Sequence, residues 1–171
     1  MNGVMRNGYQ IDWEQWSPSQ VAVLCFVVSD EQVLLIEKLR GLGAGKVNAP
    51  GGRIEENETP EEAAVREVQE EVSITPYNLQ KLGNLKFAFV DGLHLECWVF
   101  LADEFTGVPQ ESPEAIPFWQ SIDNLPYERM WSDDKEWIPH LLERKTFVGQ
   151  FVFDGDRMVS GVVSLTESLL G

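Results

Sequence analysis

"GGRIEENETPEEAAVREVQEEVSI", residues 51–74, decides how the chain is read. It holds eight of the chain's 28 acidic side chains, directly after a glycine pair. Its first signal is local. Thr59 stands where a helix cap is needed, Pro60 suits the first helical position, and Glu62 completes a T-x-x-E capping box. Ala64, Val65, Val68 and Val72 then recur at helical spacing, which predicts a helix with these residues as its inward stripe. Glu67, Glu70 and Glu71 fall at i, i+3 and i+4, so they fill about a quarter-turn beside that stripe rather than opposite it. An acidic run is usually a solvated helix face, but such a face interleaves lysines, and here the only nearby cation is Arg66. Like charges at this spacing destabilise a helix unless something positive sits among them. A divalent cation is the natural counter-charge, since Mg2+ prefers carboxylate oxygens, water and phosphates. Gly51 and Gly52 let a loop turn its carbonyls inward and let a phosphate approach the backbone. Hard oxygen ligands beside a loop without side chains suit metal-assisted hydrolysis of a phosphoanhydride, with a carboxylate positioning or deprotonating water.

The rest of the chain sets the frame for that site. Its 171 residues, 43% hydrophobic and 11% aromatic, suit one folded domain with a real core. Thirteen basic residues against 28 acidic ones give a net charge of −15. Such a surface repels polyanions, so duplex nucleic acid and anionic membranes are not expected as partners. An anionic ligand remains open if a metal bridges it to carboxylates. Cys25 and Cys97 lie in the apolar runs "VAVLCFVV" and "LHLECWVF" and read as buried, reduced core residues. The first twenty residues lack the layout of a leader peptide, and no apolar stretch is long enough to span a bilayer, so a soluble cytoplasmic protein is expected.

Residues 1–20 read as an extension whose Tyr9, Trp13 and Trp16 pack onto the domain formed by 21–171. Val21–Val28 and Val33–Lys38 read as a hairpin across "SDEQ", followed by the glycine-rich loop "RGLGAGKVNAPGG". Leu82–Val90, Leu93–Leu101 and "PFWQ" read as strands, and Asp134–Arg144 as a second helix. A last hairpin, "FVGQFVFDGDRMVSGVVS", turns on Asp154-Gly155. Strands on both sides of a helix, mostly joined by hairpins, predict a mixed α/β sandwich. Near the second helix, Trp131 beside Asp133 and Asp134 offers a stacking plane and two carboxylates, a set that suits a base with several N–H donors, such as guanine. The alternative places Asp133 or Asp134 as that helix's N-cap, with Trp131 in the core.

The spacing Gly52, Glu58, Arg66-Glu67-Val68-x-Glu70-Glu71-x-Ser73-Ile74 resembles the Nudix box, G-x5-E-x7-REUxEExGU with U apolar, at eight of nine specified positions. Ser73 departs from it, standing where the family has the glycine that ends the helix. The resemblance implies the Nudix fold, an α/β/α sandwich with a mixed central sheet. It further implies that the Gly52 carbonyl, Glu67, Glu70 and Glu71 surround Mg2+, for which Mn2+ can substitute. Arg66 would hold the catalytic glutamates, and Glu58 would support the loop–helix geometry. From about Val21 to Val159 the chain also resembles the MutT-homologue branch, its animal members above all, which sanitise oxidised purine nucleoside triphosphates. That resemblance puts Asn48 on the base edge, Lys38 and Gly51 on the substrate side, and Phe87 and Phe89 on pocket aromatics. Leu24 and Leu95 fall on apolar pocket positions, and Glu114 on a metal ligand from outside the box.

The implied reaction is hydrolysis of a small nucleotide such as 8-oxo-dGTP to the monophosphate and pyrophosphate, by a monomer or homodimer. In such a pocket Asp133 and Asp134 cannot both ionise cheaply, so one pKa should be raised. Leu42, Val47 and Ala49-Pro50 replace aromatic or glycine–aromatic positions of that branch, and residues 1–20 have no counterpart in it. Two alternatives follow: a Nudix hydrolase for ADP-ribose or an unmodified (d)NTP, and a nucleotide-binding module without turnover. The intact Glu67, Glu70 and Glu71 count against the second.

Overall fold

The computed structural model describes residues 3–4 and 10–169. In chain order its strands are β1 (Gly3–Val4), β2 (Gln10–Ile11), β3 (Gln20–Ser29), β4 (Gln32–Lys38), β5 (Val47–Asn48), β6 (Gly51–Arg53), β7 (Thr75–Tyr77), β8 (Gln80–Phe89), β9 (His94–Ala102), β10 (Glu104–Thr106), β11 (Ala115–Ser121), β12 (Phe147–Asp154) and β13 (Arg157–Leu165). Helix α1 (Pro60–Val72) follows β6, and α2 (Asp134–Leu142) follows a 3-10 turn at Tyr127–Arg129. The main sheet runs β11-β4-β3-β9-β8-β12-β13, with β5 added to β4 and β6 added to β3. It is mixed, because β3 pairs with β9 and β8 with β12 in parallel while the other ladders are antiparallel.

Period-two alternation divides the strands between two cores. Val23, Cys25 and Val27 of β3, with Trp98 and Phe100 of β9, face Ala63, Ala64, Val68 and Val72 of α1. Phe26 of β3, with Cys97, Val99 and Leu101 of β9, faces Trp137, Ile138 and Leu141 of α2. One helix on each face gives the expected α/β/α sandwich. Cys25 and Cys97 are free, buried, and on opposite faces of the sheet, and burial pushes both thiols up, Cys25 to about 12. None of the described helices is long and apolar enough to cross a membrane.

The β3–β4 turn is built from Asp30 and Glu31, both left-handed at φ 51 and 62, the hand that matches strand twist. The last hairpin turns one residue later than read from sequence, on Gly155 and Asp156, with Asp154 and Arg157 paired. Helix α2 also ends sooner, at Leu142, with Arg144 left-handed at φ 60. In α1 the inward stripe is Ala63, Ala64, Val68 and Val72; Val65 is only half-buried, and Ala63 takes its place. The β7–β10 ribbon, too short to show as periodicity, was not expected. At the N-terminal side, Trp13 and Trp16 pack against Ile11, Ala88 and Val152, and Trp16 stacks on His94 at 5.6 Å. Tyr9 lies outside the described residues.

Candidate active site

Helix α1 begins as its sequence dictates. Glu62 N–H donates to Thr59 Oγ1 at 3.1 Å, and Thr59 N–H donates to Glu62 Oε1 at 2.9 Å, closing the capping box. It ends at Ser73, left-handed at φ 67, whose N–H returns to the Gln69 carbonyl. Between these ends Arg66 organises the acidic face. Its Nε and Nη2 grip Glu58 at 2.6 and 2.9 Å, its Nη1 donates to Glu70 at 3.2 Å, and its Nη2 also reaches the Arg53 carbonyl at 3.0 Å. This bidentate grip holds the Glu58 carboxyl below its ordinary pKa and raises that of Arg66. One guanidinium thus ties the β6 loop to the middle of the helix.

The three box glutamates do not share one environment. Glu70 is exposed and spent on Arg66. Glu67 and Glu71 are buried, and burial is the main cause that pushes their pKa up to about 7 and about 8. Arg66, 3.6 Å from Glu67, pulls the other way without winning. Glu71 receives the Gly51 N–H and feels Lys38, again too weakly to offset burial. Gly52 must be glycine here: a Cβ on it would stand 1.6 Å from Glu67 Oε2. A Cβ on Gly51 would meet the Val23 carbonyl at 2.1 Å.

Gly51, Gly52, Glu67 and Glu71 line a cavity of about 650 Å³ together with Lys38 and Glu114, and Glu114 is paired with Arg40 at 3.1 Å. Leu24, Phe87, Phe89 and Leu95 line the same cavity, as do Asn48, Trp131, Asp133 and Asp134. Arg66 and Glu70 are not part of the lining. The side chain of Asn48 accepts from Ala49 N–H through Oδ1, which leaves its amide N–H2 to donate elsewhere. Trp131 packs edge-on against Phe153 at 5.3 Å and Phe89 at 6.2 Å.

Asp133 and Asp134 are 2% and 4% exposed. Asp133 stands at the N-cap position of α2, as the alternative has it, but its side chain makes no capping bond. Its Oδ2 accepts instead from Trp137 Nε1 at 2.8 Å, which fixes the acid from the core side. Desolvation lifts Asp133 to about 6, and desolvation with the Asp133 charge lifts Asp134 well above its ordinary value. Asp134 Oδ2 is buried with no donor facing it among the described residues. Both shifts favour a proton kept on the pair, most strongly on the Asp134 side.

Over residues 18–141 the sequence fits the model of the NUDIX domain. The chain belongs to the NUDIX family. It is similar to the oxidized purine nucleoside triphosphate hydrolases of Danio rerio, 43% identical over 82% of this chain and 91% of the relative, and of Mus musculus, 40% identical over 84% and 94%. Its fold is similar to the crystal structure of a MutT protein from Bacillus halodurans, with a TM-score of 0.77 and 30% identity over 84% of this chain and 97% of that one.

In this NUDIX chain the donor set fits a hard divalent cation. Two buried carboxyls whose nearest cations, Arg66 and Lys38, do not offset their burial, and a glycine kept free of a side chain beside one of them, leave room and charge for one. Among the described residues no three acidic, imidazole or thiol groups form a ready cage. Phe153, Trp137, Arg40 and Leu42 also line the NUDIX pocket and were not singled out as site residues. The β8–β12 register places Phe153 beside Phe89, a non-local fact that no sequence spacing carries.

Proposed function

We propose that this NUDIX protein hydrolyses oxidised purine nucleoside triphosphates, 8-oxo-dGTP among them, to the monophosphate and pyrophosphate. Asp134 carries this reading: a buried carboxyl beside Asp133, with no hydrogen-bond partner at Oδ2 among the described residues, lining the same cavity as Glu67 and Glu71 and with its pKa pushed up by burial. A neutral acid donates to a purine oxygen or ring nitrogen while Asp133 accepts from N–H groups, the pattern an oxidised purine edge offers. Asn48 adds a donor, and Trp131 adds a stacking plane. The names of the vertebrate relatives, whose matches cover 82% and 84% of this chain, support the same substrate class.

The Gly52 carbonyl, Glu67, Glu70, Glu71 and Glu114 would hold Mg2+, or Mn2+ in its place. Bound there, the cation neutralises phosphate charge and favours attack by water on a phosphoanhydride. Arg66 fixes Glu58 and Glu70, so the helix presents its carboxylates without rearrangement. Burial raises the pKa of Glu67 and Glu71 toward neutrality in the free protein, which favours one of them as the group that takes a proton from water. Lys38 faces Glu71 and is placed to meet phosphate oxygens. The reduced, buried Cys25 and Cys97 fit a cytoplasmic enzyme.

The test is pyrophosphate release in Mg2+ from a panel of 8-oxo-dGTP, dGTP, the other dNTPs and ADP-ribose. Highest kcat/KM on an oxidised purine is expected. Preference for ADP-ribose or an unmodified dNTP would overturn the substrate assignment.

A further inference from the structure

We propose that Lys46 is a positioning residue, whose ammonium ties the glycine-rich loop 39–46 to Trp131 and to the β12–β13 turn and so holds the purine end of the pocket in its binding shape. The proposal rests on the purine reading given above and adds a residue to it.

From within, the loop tip is fixed by two turn bonds, Ala44 N–H to the Gly41 carbonyl at 3.1 Å and Lys46 N–H to the Gly43 carbonyl at 2.9 Å. Gly41, Gly43 and Gly45 all lie in the left-handed region, at φ 82, 82 and 90, where glycine has no steric preference to hold it. Its base is closed by Gly45 N–H to the Lys38 carbonyl at 2.8 Å and Lys38 N–H to the Lys46 carbonyl at 3.0 Å. Its tip bends onto the indole: a Cβ on Gly43 would stand 2.8 Å from Trp131 Nε1. Leu42, from the same tip, is part of the cavity lining and is 49% exposed. Leu39 N–H to the Glu114 carbonyl at 2.9 Å and the Arg40–Glu114 pair hold the start of this wall from outside, and its Trp131 side takes a separate hold.

Lys46 supplies that hold. Its Nζ lies 5.2 Å from the centroid of the Trp131 ring and 3.4 Å from Asp156 Oδ2. Asp156 belongs to the turn between β12 and β13, on a separate part of the chain from both the loop and Trp131. The same ammonium thus contacts the stacking residue and the turn beyond it. Lys46 also acts on the acid pair, since its field opposes the rise of the Asp134 pKa. A cation over an indole and an exposed ion pair are each modest interactions. Together they account for a loss of about three- to tenfold in purine affinity when the ammonium is removed.

Two measurements decide it. The first is amide hydrogen exchange without nucleotide, in wild type, Lys46→Met and Asp156→Asn. Exchange of the Gly45 and Lys46 amides should quicken several-fold in both variants, while the β8–β9 amides stay protected. Unchanged loop exchange would overturn the proposal, whatever the turnover shows. The second is steady-state kinetics on 8-oxo-dGTP. Lys46→Met should raise KM about three- to tenfold at nearly constant kcat, Asp156→Asn should raise it less, and Lys46→Arg should restore it. A fall in kcat at constant KM would overturn the proposal by placing Lys46 at the phosphate end. If wild type cleaves no oxidised purine, the substrate assignment fails on its own, and loop exchange still decides the role of Lys46.

Discussion

Replacing Glu67 by glutamine should stabilise the protein in the absence of a cation, by an amount that grows from pH 4.5 and is complete above about pH 7. Burial raises the Glu67 pKa from 4.5 to about 7. Below pH 4.5 the carboxyl is protonated in the folded and unfolded chains alike, so it adds nothing to stability. Between 4.5 and 7 the folded protein keeps a proton that the unfolded chain releases, so stability falls as pH rises. Above 7 the full penalty of a buried carboxylate that Arg66 only partly compensates is present. At about 1.4 kcal/mol per pKa unit it amounts to about 3 kcal/mol. The Glu67 side chain is only 11% exposed, so solvent screens little of this. Glutamine keeps the shape and carries no charge. For a chain of this size about 3 kcal/mol corresponds to roughly 6–12 °C in Tm. Thermal melts of both proteins in EDTA at pH 4 and pH 8 make the comparison. Equal melting is expected at pH 4, with the variant higher at pH 8. Adding Mg2+ at pH 8 should raise the wild type by linkage and the variant much less. A variant no more stable than wild type at pH 8 in EDTA would refute the view that this carboxylate is poised for a cation.

Asp133→Asn, Asp134→Asn and Trp131→Ala should each raise KM for 8-oxo-dGTP by more than tenfold, at least ~1.4 kcal/mol, while leaving Mg2+ dependence unchanged. Equal kinetics in both aspartate variants would move the base site elsewhere. Ser73→Gly should raise stability by about 0.5–1 kcal/mol, read as a Tm increase of a few degrees, because Ser73 holds a left-handed φ of 67 that glycine adopts freely. Trp16→Ala should lower Tm by several degrees through lost packing on Ala88 and Val152. An unchanged melt would leave that segment without a part in stability.

What the sequence made legible was local. The capping box, the glutamate spacing and the glycine pair are short-range patterns, and the helix and loop they specify stand where expected. Strand existence was also legible, from apolar runs and turn residues, but strand neighbours were not. The parallel β3–β9 and β8–β12 ladders join segments far apart in sequence, and they decide that Phe153 backs Trp131. Val65 misled because it has the right residue type at a plausible spacing, yet tertiary packing turns Ala63 inward instead. The acid pair was legible as chemistry but not as geometry. Asp133 looks like an N-cap in sequence, and only the approach of the Trp137 N–H shows where its carboxylate is spent. Lys46 gave no signal at all, because its partners Trp131 and Asp156 come from distant parts of the chain.

The central claim is that one cavity joins a purine-reading acid pair to a cation-holding glutamate pair. Its most direct test is product analysis of 8-oxo-dGTP incubated with Mg2+ and either wild type or Glu71→Gln, each first shown to be folded. The account predicts 8-oxo-dGMP and pyrophosphate from the wild type, abolished by EDTA, and turnover lower by orders of magnitude in the variant. A wild type that leaves 8-oxo-dGTP intact, or a folded Glu71→Gln that cleaves it as fast, would contradict it.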